Sequence, residues 1–168
     1  MRVAAALLAI LVALALQTTL TGWEFNGIAA VDLVLVLPLY LALTAGAAAG
    51  LMAASVAGLL QDSLSSGILG IGALAKTIVA YLAGIAGTQF ILTGALQRFL
   101  TFFLATIAHA VIFMGLYVVL DLRQFPSPES TVLTQAIGNG VVGVVGFEIV
   151  DWLPGFLARR RASRPLRR

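Results

Sequence analysis

From Leu33 to Leu60 the chain runs for 28 residues without a charge. As one helix that run would be about 42 Å long at 1.5 Å per residue, more than the ~30 Å hydrocarbon core of a bilayer. It must therefore tilt strongly or fold back. Its one place for a tight turn is LALTAGAAAG, where Thr44 and Gly46 weaken the helix, and Pro38 already bends the segment before it. The rest of the chain has the same character: 61% of its 168 residues are hydrophobic and only 10% are charged, with a mean hydropathy of +1.06. A soluble domain carries roughly 25% charged residues. Too few polar side chains are present here to clothe a water-facing surface, so the composition is that of an integral membrane protein with room for about six spans.

Turn chemistry and charge predict helices near 3–20, 30–43, 46–62, 69–90, 97–120 and 128–153. Arg159, Arg160, Arg161, Arg164, Arg167 and Arg168 cluster at the end of the chain. Basic residues favour the cytoplasmic side, and each added span flips the opposite end. Six spans put Arg2, Arg98 and the tail inside and leave Arg123 outside, with Glu24, Asp32, Asp62, Asp121 and Glu129 at the outer side; five spans would move Arg2 outside. The expected organisation is one transmembrane bundle over residues 1–157 and a basic cytoplasmic tail over 158–168, in a multi-pass protein with both termini cytoplasmic. The N-terminal MRVAAALLAILVALALQTTL resembles a signal peptide, with Ala13-Leu14-Ala15 as a cleavage motif. Cleavage there would leave an unusually short signal, whereas Val3 to Leu20 is a full span, so it is read as the first helix. Asp32 is placed to cap the second helix, and Ser127, Pro128 and Glu129 to open the sixth. Pro154 is expected to stop the sixth, and Trp23, Phe25 and Trp152 to sit in the aromatic belts.

Two stripes of small residues stand out. Gly46, Gly50, Ala54 and Gly58 recur every fourth residue, with Asp62 next in the series, and Gly72, Lys76, Ala80 and Gly84 repeat the spacing on the following helix. Such stripes let helix backbones approach closely. A hairpin centred near Gly67 puts Lys76 about 6 Å deeper than Asp62, within reach of a lysine stem that leans toward the helix N-terminus. Either charge alone near the middle of a span would cost about 2.5–3.5 kcal/mol. Two structural readings follow: an Asp62–Lys76 pair that locks the helices, or Asp62 capping the loop SLSSG while Lys76 reaches the headgroups. A proton or ion relay would need acidic or histidine stepping stones across the membrane. His109 lies near the middle of the fifth helix, where a neutral ring bonded to a neighbouring helix is expected; Glu148 and Asp151 lie near the cytoplasmic end, within range of Arg2, Arg98 or the tail.

Catalysis finds no support. With no cysteine and one histidine, the chain offers no disulfide, no thiolate chemistry and no metal site from its own residues. It has no zincin helix, phosphate-cradling loop, nucleophile elbow or acid pair within a span, and the aspartates sit at span ends, against an intramembrane aspartyl peptidase. No catalytic residue and no cofactor are expected. The tail RRRASRPLRR suits anionic lipids and topology better than nucleic acid.

VDLVLVLPLYLAL and GLLQDSLSSGILGIGALAKTIVAYLAG (Gly58–Gly84) together resemble the rod shape-determining protein family MreD. The shared features are an Asp opening the second span, a glycine-rich third span ending in Leu-Leu-x-Asp, a Ser-Gly-x-x-Gly loop, and an Ala-Leu-x-x-Thr run closing in Tyr-Leu. They cover about residues 31–87, a third of the chain. Val31 replaces the Pro that commonly precedes the Asp, and Thr44-Ala45-Gly46 replaces a usual basic turn. The resemblance implies an all-α bundle of six transmembrane helices similar to the S component of energy-coupling-factor transporters. It implies a non-enzymatic component of the bacterial elongation complex in the inner membrane, one that binds MreC and so joins the MreB cytoskeleton to RodA and a class B penicillin-binding protein. The alternative is an S-component-like membrane protein that binds a small molecule or lipid precursor, with a pocket opening outward near Trp23 and Asp62.

Overall fold

The computed structural model describes the backbone of residues 2–20, 24–25, 28–29, 31–65, 67–89, 94–122 and 129–162, and side chains within 4–19, 31–65, 67–89, 94–122 and 129–152. Six helices follow one another: α1 (Arg2–Leu20), α2 (Leu33–Ala45), α3 (Ala47–Leu64), α4 (Ile71–Gln89), α5 (Ala95–Val119) and α6 (Glu129–Ala162). Between α1 and α2 lies a two-residue antiparallel ladder, β1 (Glu24–Phe25) with β2 (Ile28–Ala29), which the helical reading of the sequence does not contain. In sequence Asn26 and Gly27 separate its strands, a pair strongly favoured in two-residue hairpin loops.

The uncharged run beginning at Leu33 is two helices. Gly46 separates them with φ 97° and ψ 165°, a backbone region essentially reserved for glycine. A Cβ at Gly46 would meet no atom within 4 Å, so this glycine serves the turn and is not part of the helix contact expected of it. The consequence is a short α2 of 13 residues, about 20 Å long, too short to cross the bilayer unaided. Helices α3 to α6 contain stretches long and apolar enough to cross a membrane, and α1 and α2 contribute shorter apolar segments, Ala4–Thr19 and Leu33–Ala45. The chain is a multi-pass membrane protein.

Helix α2 forms the centre, with α1, α3, α4, α5 and α6 all packed against it. Leu35 and Leu39 are fully buried, in one cluster with Val79, Phe102 and Phe147; Val34 on the opposite side packs with Ile10, Leu14 and Ala53. An all-round apolar helix such as α2 is what a buried position requires. The small residues allow this density. A side chain at Gly50 would collide with Ala42 of α2, one at Gly58 with Ala73 of α4, and one at Gly84 with Ala47 of α3. At the far end Arg98 of α5 bridges Glu148 (3.2 Å) and Asp151 (2.9 Å) of α6 and stacks over the Phe147 ring at 4.6 Å.

One helix end differs from the sequence reading. Helix α6 runs through Pro154 to Ala162. A proline already has helical φ; it removes one hydrogen bond and crowds the carbonyl four residues back, which can kink a helix without ending it. Arg159, Arg160 and Arg161 therefore sit on helical backbone. The expected caps Ser127 and Pro128, and the side chains of Trp23 and Phe25, lie outside the described residues.

Candidate functional site: a buried charged cluster at one end of the bundle

The shortness of α2 decides the site. Because the helix begins only at Leu33, its capping residue Asp32 lies inside the bundle, 5% exposed, and not at an outer rim. Its Oδ1 accepts from the Leu35 N–H at 3.0 Å, the N-cap bond expected of it. Its Oδ2 receives the Lys76 ammonium at 2.7 Å, in a pair whose side chains are 5% (Lys76) and 7% (Asp32) exposed. Lys76 stands about a turn and a half into α4, at the depth to which α2 withdraws Asp32.

The expected Asp62–Lys76 pair is thus replaced by Asp32–Lys76. Asp62, at the end of α3, turns its Oδ2 to the backbone N–H groups of Gly70 (2.9 Å) and Ala73 (3.1 Å), at the start of α4. These are amides that a helix N-terminus leaves without intrahelical partners. Gly72 makes the approach possible, since a Cβ there would collide with Asp62 Oδ1. The loop-capping reading of Asp62 describes its bonds, while Lys76 keeps its charge inside and does not reach the headgroups.

A third group joins the pair. Lys76 Nζ lies 3.4 Å from His109 Nε2 of α5. An ammonium has no acceptor, so Nε2 accepts and the proton of the neutral ring sits on Nδ1. Around this core runs a polar network that sequence reasoning missed. Asn139 of α6, fully buried, accepts from the Asp32 N–H at 2.7 Å and donates to Thr106 Oγ1 at 3.0 Å. Gln17 of α1 clasps the entry to α2, accepting from the Leu33 N–H and donating to the Val31 carbonyl, both at 2.9 Å. A signal was present: Asn139 and Gln17 are carboxamides inside apolar runs, and polar side chains within spans are costly enough to have a purpose.

Beside the cluster lies a cavity of about 310 Å³. Gln61, Asp62, Ser65, Lys76, His109 and Gln135 are among its polar lining residues, and Phe113 and Val132 among its apolar ones. His109 Nδ1 and Gln61 Oε1 are buried without hydrogen-bond partners. No group of three or more His, Cys, Asp or Glu suited to a metal ion occurs among the described residues.

Fold and cluster together define a polytopic membrane protein whose short central helix is tied to its neighbours by a buried ion pair. Residues 1–150 match the family model described as rod shape-determining protein MreD, and the chain belongs to that family. The family is one of shape-determining proteins, which gives this chain a role in rod shape determination. No curated protein and no solved structure matches it.

Proposed function

We propose that the protein is the membrane component of the bacterial cell-elongation complex that binds MreC and thereby couples the MreB cytoskeleton to peptidoglycan synthesis by RodA and a class B penicillin-binding protein. The observation that carries this reading is the family match over residues 1–150. The bundle suits such a role: its polar side chains are spent on holding α2, α4, α5 and α6 together, which makes a rigid body for a partner to grip. In this reading the protein lies in the inner membrane with both termini cytoplasmic. The arginines at 159–161 engage anionic lipids at ~1 kcal/mol each. The test is co-purification. Tagged full-length protein, well expressed and folded, retains MreC from detergent-solubilised bacterial membranes; failure to retain it would sink the reading.

A second reading, a small-molecule or lipid-precursor binding protein built like an S component, is favoured by one observation. The cavity beside Lys76 is bordered by His109 and Gln61, each with a buried polar atom lacking a partner.

A further inference from the structure

The geometry points to the cavity between α3, α4, α5 and α6 as a binding site for an uncharged head group that both donates and accepts hydrogen bonds, such as an amide, carried on an apolar body. This inference rests on the second reading above and deepens it.

The hydrogen-bond inventory of the walls sets the class. On the α4–α5 side stand donors: Asp32 and His109 take two of the three Lys76 N–H groups, and the proton on His109 Nδ1 has no acceptor. On the α3 side stand acceptors: Gln61 Oε1 has no partner, and Asp62 uses Oδ2 for its bonds to Gly70 and Ala73. Donors and acceptors lining one cavity match a group that carries both.

Charge and hydrogen-bonding capacity together disfavour the alternatives. The cavity is bordered by two carboxylates, Asp32 and Asp62, and one ammonium, Lys76. An anionic head would meet the excess negative charge. A cationic ammonium head only donates, so it would leave the His109 Nδ1 proton without an acceptor, beside Lys76. A neutral head that both donates and accepts meets neither penalty and pairs the buried polar atoms left without partners. The α5–α6 lining is mostly apolar, with Ala110, Phe113, Met114 and Val132 beside Gln135, and takes the body of the ligand. A volume of about 310 Å³ lies at the lower end of the range for ligand pockets, roughly 300–1,000 Å³.

The chain's single histidine makes the test direct. Full-length protein labelled with 15N-histidine in nanodiscs gives one imidazole, that of His109, inside the proposed site. Three probes share a six-carbon skeleton: hexanamide, hexylammonium and hexanoate. The expected result is a saturable shift of the ring signals with hexanamide and at least tenfold weaker responses to the two charged probes. Val132→Phe, which fills the apolar wall, weakens hexanamide binding at least tenfold. Gln61→Leu, at a half-buried position, weakens it severalfold and keeps the test decisive if Val132→Phe does not fold. A charged probe that binds as well as hexanamide overturns the head-group assignment while leaving a ligand site. No saturable shift with any probe, or a shift unchanged in both variants, overturns the site itself and leaves water as its content. None of these outcomes depends on MreC.

Discussion

Lys76 is the residue on which the cluster turns. It joins α4 to the start of α2 and to α5, and it neutralises a carboxylate that the fold has taken out of water. Removing one member of a buried pair leaves an uncompensated charge and costs about 3–5 kcal/mol. Lys76→Met is therefore expected to lower unfolding stability in detergent by that amount, and adding Asp32→Asn, which keeps a capping side chain, to restore much of it. Asp62 belongs to a different class. Asp62→Ala loses two bonds to backbone N–H groups at a partly exposed site, a capping loss of about 1 kcal/mol. Exchanging the charges at positions 62 and 76 is expected to rescue nothing, since the two side chains are not partners. A denaturant titration of the variants separates the cases; equal losses for Lys76→Met and Asp62→Ala would contradict the assignment.

At the scale of elements, the glycines divide by task. Gly58 and Gly84 bring α3 and α4 within backbone contact, against Ala73 and Ala47. Gly58→Val forces those helices apart, with an expected loss of about 1–3 kcal/mol in the same titration. Gly46 has open space around it and a backbone conformation other residues avoid. Gly46→Ala is expected to cost about 1–3 kcal/mol through backbone strain alone, and to respond little to the size of a larger replacement. A steep dependence on side-chain volume at position 46 would return it to the packing class. The turn was legible in LALTAGAAAG from helix-weakening residues. Which glycine serves the turn and which serve contact was not, because four-residue spacing is the same on both sides of the break.

For the whole molecule, the absence of cysteine makes sidedness measurable with single introduced cysteines. With six spans and a cytoplasmic tail, Ser65→Cys and Leu122→Cys, at exposed positions at the ends of α3 and α5, are expected to react with a membrane-impermeant maleimide added outside intact spheroplasts. Arg164→Cys in the tail is expected to react only after permeabilisation. The reverse pattern would invert the topology.

Membrane residence, the number of helices, their approximate limits and the family are readable from the chain alone, because hydrocarbon imposes a length and a polarity on every span that a sequence displays directly. The cap at Asp32 and the small-residue stripes are readable for the same reason: each is a local pattern of a few neighbouring positions. The partner of Lys76 is different. Reach and depth inferred from the sequence favour Asp62, the nearest acid in sequence, 14 positions away; the fold supplies Asp32, 44 positions away. That choice depends on Gly46 shortening α2 and lowering its first residue into the bundle, and on Gly70 and Ala73 presenting N–H groups that occupy Asp62. A buried charge pairs with whatever countercharge shares its depth once the helices have packed, and depth is set jointly by all of them.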